Sequence, residues 1–235
     1  MADGQIIVTG ASRGIGAQIA LELEKRGYPI AGLSRSGHTA AGYGIACDVT
    51  DEAGIRHAIA KIAEKGSIAG LVNNAGLHEI AVSAELVTEQ FNRIMAVNAT
   101  SVMIASREVY PHLKANGGGL LVNMGSFFDK LGVTKNLAYC ASKAAVGAIS
   151  RCLAVEWAPD GITVVNIAPG YIETDLNKDF LARDSVRDWL SHRIPVGKAA
   201  GPDQVARLIA SLFDEKLPFM TGETIYIDGG QGIFH

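Results

Sequence analysis

Short apolar segments alternate with longer segments of helical periodicity along almost the whole chain. Each short segment is bounded by glycine, proline or polar residues, which is typical of strands buried in a parallel sheet. Seven strands are predicted on this basis, at residues 5–9, 29–33, 43–47, 69–72, 120–124, 162–167 and 224–227.

The longer segments predict helices between these strands. Gly27 ends the first helix, Thr50 or Asp51 caps the second, and Pro202 occupies the favoured first position of the last. The predicted helices cover residues 17–26, 51–65, 85–95, 99–114, 137–157 and 202–213, and a helical excursion of mixed polarity covers 171–196. This alternation predicts an α/β fold, a doubly wound parallel sheet with helices on both faces. Because the sequence has no repeat or linker, one domain is predicted for residues 1–235.

Composition and charge exclude several classes of protein. The 235 residues are 48% hydrophobic with a net charge of −3, which does not fit a disordered chain. The acidic balance argues against a nucleic-acid-binding protein. No apolar run is long enough for a membrane span and Met1–Gly4 does not resemble a signal peptide, so a cytoplasmic protein is predicted. Cys47, Cys140 and Cys152 lack metal-ligand spacing and are predicted to be reduced thiols, with no metal site.

A glycine-rich turn follows the first predicted strand and opens the first helix. Gly10, Gly14 and Gly16 have the spacing G-x-x-x-G-x-G, which differs from the G-x-G-x-x-G of the standard dinucleotide fingerprint. Glycines allow a pyrophosphate to approach the backbone, and the helix N-terminus offers free N–H groups. The turn therefore predicts a dinucleotide site, with a tight turn that binds nothing as the alternative.

The end of the second predicted strand bears on the choice of cofactor. An acidic residue there binds the ribose 2′-hydroxyl of NAD, whereas an arginine accommodates the 2′-phosphate of NADP. The chain has Ser34 and Arg35 at this point, and Arg13 lies in the glycine turn. NADP(H) is therefore favoured, and NAD(H) is the alternative if both arginines are ordinary surface residues.

Tyr139 and Lys143 are four residues apart on the helix predicted for 137–157, so their side chains share one face. An ammonium beside a phenol favours the phenolate and lowers its pKa, which suits proton transfer near neutral pH. The pair alone is also compatible with an exposed helix face. Ser126, thirteen residues before Tyr139 and just after a strand, favours the catalytic interpretation.

Several further motifs occur in order along the chain, and together they carry a family resemblance. They are Thr9-Gly10-Ala11-Ser12-Arg13-Gly14-Ile15-Gly16, Asp48, Asn73-Asn74-Ala75-Gly76, Asn98, Ser126, Tyr139-x-x-x-Lys143, Pro169-Gly170 and Thr221-Gly222-Glu223. With these motifs the chain resembles the short-chain dehydrogenases/reductases from end to end, and within them the 3-oxoacyl-[acyl-carrier-protein] reductase-like branch. The resemblance implies a single Rossmann-type domain with a seven-stranded parallel sheet and a substrate-binding excursion at about 171–200. It also implies a homotetramer, or less often a dimer, packed partly through the 137–157 helix.

The resemblance also implies roles for individual residues. Ser126 would hydrogen-bond the substrate oxygen, Tyr139 would act as general acid and base, Lys143 would hold the nicotinamide ribose and tune Tyr139, and Asn98 would hold a water that leads to solvent. The implied cofactor contacts are Gly10, Ser12, Arg13, Gly14, Ile15, Gly16, Ser34, Arg35, Asp48, Val49, Asn74, Ala75, Gly76, Tyr139, Lys143, Pro169, Gly170, Ile172 and Thr174.

The substrate stays open at the level of sequence. A 3-oxoacyl thioester on an acyl-carrier protein is the first expectation, and a sugar, quinone, steroid or small cyclic ketone is the alternative. An acidic carrier protein would need basic residues at the cleft mouth, for which the candidates are Lys130, Lys135, Arg183 and Arg187. An apolar ketone would suit Phe127, Phe128, Tyr171 and Phe180. His78 either faces the substrate or is an exposed loop residue. A non-catalytic dinucleotide sensor is the alternative of another class.

Overall fold

Seven parallel strands form one sheet in the order β3-β2-β1-β4-β5-β6-β7, so the predicted α/β architecture is confirmed. The computed structural model describes residues 4–175 and 177–234, and most of Met1–Gly4, the basis for predicting no signal peptide, lies outside this range. The strands are β1 (Gln5–Thr9), β2 (Ile30–Ser34), β3 (Tyr43–Ala46), β4 (Ile68–Asn73), β5 (Gly119–Met124), β6 (Ile162–Pro169) and β7 (Thr224–Ile227). Their bounds differ from the predicted ones by at most two residues.

The five central strands are buried along their whole length, whereas the edge strands β3 and β7 are partly exposed. Helices cover both faces of a doubly wound sheet, so its inner strands have no polar face. This explains why the inner strands are continuously apolar in sequence while β3 alternates between half-buried and exposed positions.

The helices lie in two layers, one on each side of the sheet. The side chains of α1 and α8 pack into one core, and those of α2, α4 and α5 pack into the other. The helices are α1 (Gly14–Lys25), α2 (Glu52–Ala63), α3 (Thr88–Met95), α4 (Ser101–Ala115), α5 (Leu137–Trp157), α6 (Lys178–Leu181), α7 (Asp184–Arg193) and α8 (Pro202–Glu215).

Three helical predictions need correction. The helix α1 begins at Gly14, inside the glycine turn, three residues before the predicted start. The predicted start of α3 at residue 85 is a separate 3₁₀ turn, Ser83–Glu85. The excursion at 171–196 contains two short helices, α6 and α7, because its mixed polarity gives no continuous apolar face.

The strand order reverses between β1 and β4, which lie side by side although two strands separate them in sequence. Connections leave these two strands in opposite directions, which opens a crevice at their carboxyl ends, the usual ligand position in open α/β sheets. The glycine turn follows β1 and Asn74 follows β4, so both lie at this crevice.

Within residues 4–175 and 177–234, no helix combines the length and the apolarity that a membrane-spanning helix requires.

Candidate active site

The glycine turn brings the chain closer to itself than any side chain would allow. Gly10 and Gly14 have φ values of 68° and 58°, in the left-handed region that favours glycine. A Cβ on Gly16 would lie 2.3 Å from both Gly10 O and Asn74 Nδ2. The first turn of α1 therefore sits directly against the backbone of the loop, with its N–H groups directed into the crevice.

Asn74 and Thr9 join the ends of β1 and β4. Asn74 Nδ2 donates to Thr9 O at 3.0 Å and to Gly10 O at 3.3 Å, while Thr9 Oγ1 accepts from the backbone N–H groups of Asn74 and Ala75, each at 3.0 Å. This role of Thr9 is not predicted from the sequence, where its signal is a hydroxyl at the last position of the strand, after three apolar residues.

A cavity of about 340 Å³ lies beside the glycine turn. Its walls bring together the glycine turn, the start of α1 and the segment after β6, and they are Ser12, Arg13, Gly14, Ala17, Gln18, Glu173, Thr174, Asp175, Lys178 and Pro202. Four predicted contacts, Ser12, Arg13, Gly14 and Thr174, share it. Gln18 and Lys178 are additional polar groups there that sequence reasoning missed.

The chain reaches Thr174 through Pro169 and Gly170 at the end of β6. A Cβ on Gly170 would lie 2.7 Å from Asp228 Cα, so only glycine fits this turn. Ile172 is 6% exposed and belongs to the core cluster that also contains side chains of α1 and α8. Its position against a nicotinamide stays a prediction.

The end of β2 carries Ser34, one of the predicted cofactor contacts. The Ser34 hydroxyl donates to His38 O at 2.7 Å, which holds the short β2–β3 loop together. Arg13 and Arg35 are exposed, and neither forms an ion pair with another described residue. No carboxylate follows β2 directly.

Asp48 lies at the end of β3, near Arg35. It accepts hydrogen bonds from Thr50 N at 2.9 Å and from Thr50 Oγ1 at 2.8 Å. These bonds lower the pKa of the Asp48 carboxyl, and the positive charge of Arg35 contributes less. Its neighbour Val49 packs partly against the core. The carboxylate is therefore held ionised and oriented at the crevice.

Lys143 is buried beneath the crevice. It is 5% exposed, and its Nζ donates to Met124 O at 2.8 Å, at the end of β5. Burial lowers the pKa of Lys143 to about 8. A Cβ on Gly76 would lie 3.9 Å from Lys143 Nζ and 3.6 Å from Asn98 Oδ1, so these three residues adjoin one another.

Ser126 and Tyr139 meet at the carboxyl end of β5. A hydrogen bond joins their hydroxyl groups, and Ser126 Oγ also accepts from Phe128 N at 3.2 Å. Burial raises the pKa of Tyr139, and the bond from Ser126 opposes that rise. The predicted lowering by Lys143 is not found. The reason is that Lys143 Nζ lies 5.7 Å from the Tyr139 ring centroid and is directed to Met124.

Asn98 is fully buried in a π-helical turn, Ala96–Thr100, that joins α3 to α4. Its Oδ1 accepts from Leu77 N at 2.7 Å, and its Nδ2 donates to Leu77 O at 2.8 Å and to Ser142 Oγ at 3.0 Å. Both side-chain amide protons of Asn98 are thus used within the protein. The water expected at Asn98 could therefore bind this side chain only by donating a hydrogen bond to its oxygen.

Known proteins match this chain over nearly its whole length. A family model described as enoyl-(acyl carrier protein) reductase matches residues 10–231. The chain is 35% identical over 239 residues to 3-oxoacyl-[acyl-carrier-protein] reductase FabG of Escherichia coli (strain K12), with 97% of each chain covered. The chain belongs to the short-chain dehydrogenase/reductase family. It is accordingly an oxidoreductase that acts on CH–OH and C=O groups.

Other relatives in this family differ in substrate. The chain is 35% identical over 246 residues to D-threitol dehydrogenase of Mycolicibacterium smegmatis, covering 98% of this chain and 94% of the other. The structure of a gluconate 5-dehydrogenase from Burkholderia cenocepacia J2315, in complex with NADP and tartrate, superimposes with a TM-score of 0.91 at 30% identity, covering 99% and 97%. Membership of the short-chain dehydrogenase/reductase family therefore does not fix the substrate.

Aromatic rings surround Tyr139 in this dehydrogenase/reductase. The rings of His78 and Phe128 lie 4.6 Å and 6.0 Å from its ring, centroid to centroid, both in edge arrangements. Phe127, Tyr171 and Trp189 continue the aromatic surface towards α7, at 5.6 Å per step. Of the two phenylalanines left open by the sequence, Phe127 is the buried one and Phe128 is half-exposed.

The four basic candidates for a cleft mouth are arranged in different ways. Lys130 Nζ lies 3.6 Å above the Tyr226 ring, and Arg183 stacks on Phe180 at 5.8 Å. Arg187 is exposed and lies 4.0 Å from Asp184. Lys135 has a φ of 63°, an unfavourable backbone conformation for a lysine, in the turn before α5.

Among the described residues, no three His, Cys, Asp or Glu side chains come together in a way that could hold a metal ion. Cys47, Cys140 and Cys152 are free thiols.

Proposed function

We propose that this chain interconverts a ketone and a secondary alcohol with NADP(H), using Tyr139 as the proton donor and acceptor. The observation that carries the proposal is the meeting of the Ser126 and Tyr139 hydroxyls next to buried Lys143, at the crevice that the glycine turn borders. A non-catalytic dinucleotide sensor would have no use for this arrangement.

The cofactor would lie across the crevice. Gly10, Gly14 and Gly16 would cradle its pyrophosphate, and Arg13 with Arg35 would bind a 2′-phosphate through their forks of donors. Support comes from the lack of a carboxylate directly after β2 and from the NADP in the related gluconate 5-dehydrogenase structure. When bound, the nicotinamide supplies or accepts the hydride.

The side chains would manage the charge on the reacting oxygen. Ser126 would donate to it as negative charge builds, a contribution of about 10²–10³ in rate. Tyr139 would deliver the proton, which adds about 10²–10⁴. Lys143, with a pKa near 8, lies one helical turn away, where it would steady the phenolate that forms. Asn98 would hold the loop at Leu77 in place.

The relatives support two different substrate classes. The reductase of Escherichia coli supports a 3-oxoacyl thioester on an acyl-carrier protein, for which Lys135 and Arg187 would be exposed contacts. D-threitol dehydrogenase and gluconate 5-dehydrogenase support a polyol or sugar-derived ketone. The polar His78 beside Tyr139 favours the second class specifically.

The remaining expectations stay proposals of the same kind. We infer a homotetramer, a single domain over residues 1–235 with substrate bound by residues 171–200, and a cytoplasmic location. The exposed apolar side chains on α5 and near the C-terminus support the assembly, and the free cysteines fit the location.

The test follows the absorbance of NADPH, and separately of NADH, with an acetoacetyl thioester, a hydroxylated ketone, a quinone and a cyclic ketone. We expect oxidation of NADPH in preference to NADH, and a loss of about 10²–10⁴ in kcat for Tyr139→Phe with cofactor binding retained. Tight cofactor binding without turnover, identical in wild type and variant, would favour the sensor instead.

A further inference from the structure

His78 is held against Tyr139 by contacts from a distant part of the chain. Its ring lies 4.6 Å from the Tyr139 ring, and its Nε2 lies 2.6 Å from Asn136 Oδ1. Asn136 immediately precedes α5, at the position where an asparagine usually caps a helix, yet its side chain makes no capping bond. The side chain of Asn136, just before the helix that carries Tyr139, therefore contacts His78 and does not cap that helix.

The bond to Asn136 fixes which nitrogen of His78 carries the proton. Asn136 Nδ2 donates to Thr134 O at 2.8 Å, so the amide is oriented with Oδ1 towards the imidazole. Because Oδ1 can only accept, Nε2 must be the donor. In the neutral ring Nδ1 is then an acceptor, and it has no hydrogen-bond partner among the described residues. His78 is also exposed, so this acceptor is accessible.

The loop that carries His78 is fixed at several points. Ala81 N donates to Lys135 O at 3.0 Å, which ties the loop to the unfavourable turn before α5. Leu77, on the other side of His78, is held by Asn98 through both its N–H and its carbonyl. The imidazole therefore has a defined position against the Tyr139 ring, as a specificity group requires.

We propose that His78 is a substrate-positioning residue that accepts a hydrogen bond from a hydroxyl on the carbon next to the reacting carbonyl. The inference rests on the proposed function and names its substrate class, a hydroxylated ketone or the corresponding diol. A 3-oxoacyl thioester carries only CH₂ or CH₃ groups beside its ketone and offers no such donor. A site that hydrogen-bonds a substrate hydroxyl discriminates strongly against analogues that lack it.

The experiment compares 1-hydroxy-2-butanone with 2-butanone, and adds an acetoacetyl thioester, using NADPH and the full chain. His78→Phe keeps a ring against Tyr139 and removes both nitrogens, whereas His78→Gln keeps a donor and an acceptor. His57→Phe, on the exposed face of α2, is the matched control, and Tyr139→Phe reports whether turnover depends on the proposed acid.

We expect wild type to prefer the hydroxylated ketone by at least about tenfold in kcat/KM, and His78→Phe to lose that preference through KM. His78→Gln should restore part of it, and His57→Phe should match wild type. An unchanged preference in His78→Phe, or turnover of the thioester alone, would overturn the inference and leave the proposed function standing. Turnover that survives Tyr139→Phe, or no turnover of any ketone, would overturn the proposed function as well.

Discussion

Lys143 is a single residue whose proposed catalytic role and whose effect on stability have opposite requirements. Its ammonium is buried with the Met124 carbonyl as its hydrogen-bond acceptor, and burial lowers its pKa from 10.5 to about 8. At neutral pH the folded protein must therefore keep a charge that would be better solvated in the unfolded chain. Burial of this charge therefore lowers the free energy of unfolding.

Replacing Lys143 by methionine, which keeps the apolar stem, should stabilise the fold at pH 7 by about 1–3 kcal/mol while abolishing activity. The unfolded chain binds more protons than the folded one between pH 8 and 10.5. Wild type should therefore gain stability relative to Lys143→Met as the pH rises through that window. Urea unfolding at pH 7 and pH 10 measures both effects. A stability difference that does not change with pH would show that the ammonium is not buried as described.

The second prediction at the residue scale concerns the close packing of Gly16. An alanine there would place its Cβ 2.3 Å from Gly10 O and from Asn74 Nδ2, so the glycine turn must shift. We expect Gly16→Ala to weaken NADPH binding by tenfold or more and to lower stability by roughly 1–3 kcal/mol. Fluorescence titration and thermal unfolding measure these changes. Gly132→Ala is the control, because a Cβ on Gly132 meets no atom within 4 Å.

At the scale of elements, the π-helical turn between α3 and α4 is what brings Asn98 to the site. The wider turn places Asn98 between Leu77, in the loop after β4, and Ser142, on α5. Three segments distant in sequence are thus joined through one side chain. The helix carrying Tyr139 and the loop carrying His78 depend on the same residue for their relative position.

Asn98→Ala should cost roughly 2–4 kcal/mol of unfolding free energy, because the backbone N–H and carbonyl of Leu77 lose their partners. It should also lower kcat by more than it raises the KM for NADPH. Chemical denaturation and steady-state kinetics provide the comparison with Asn92→Ala, an exposed position on the neighbouring α3. Equal effects of the two substitutions would argue against a positioning role for Asn98.

At the scale of the whole molecule, large apolar side chains are exposed on α5 and near the C-terminus. Val155 is 78% exposed, and Phe219 and Ile233 are among the other large exposed apolar residues. Gly222 lies against Ala154, which brings the Phe219 segment next to α5. Exposed patches of this kind mark interaction surfaces.

Sedimentation velocity should therefore show a tetramer for wild type. Val155→Glu and Phe219→Glu should each shift the distribution to smaller species, since a carboxylate in an apolar interface is costly. Lys61→Glu, on exposed α2, should leave the distribution unchanged. A monomer in wild type, or a tetramer in both glutamate variants, would contradict the assignment of this surface.

The sequence by itself determined the architecture. All seven strands and the order of strand and helix were predictable, because each depends on local periodicity and on turn residues such as Gly10 and Pro202. The motif at Tyr139 and Lys143 was predictable for the same reason, since a spacing of four residues fixes a shared helix face. The boundaries of α3, and the division of residues 171–196 into α6 and α7, were not, because mixed polarity gives a weak periodic signal.

Only the tertiary structure decided how the site is tuned. The pKa of Tyr139 is raised because the side chain is buried and because Lys143 donates its hydrogen bond to Met124 O. Neither feature is visible in a local sequence pattern. The contact between His78 and Asn136 joins positions 58 residues apart. The burial of Ile172 in the core likewise depends on which segments pack around it. Packing of distant segments fixes these properties, and local periodicity carries no information about which segments pack together.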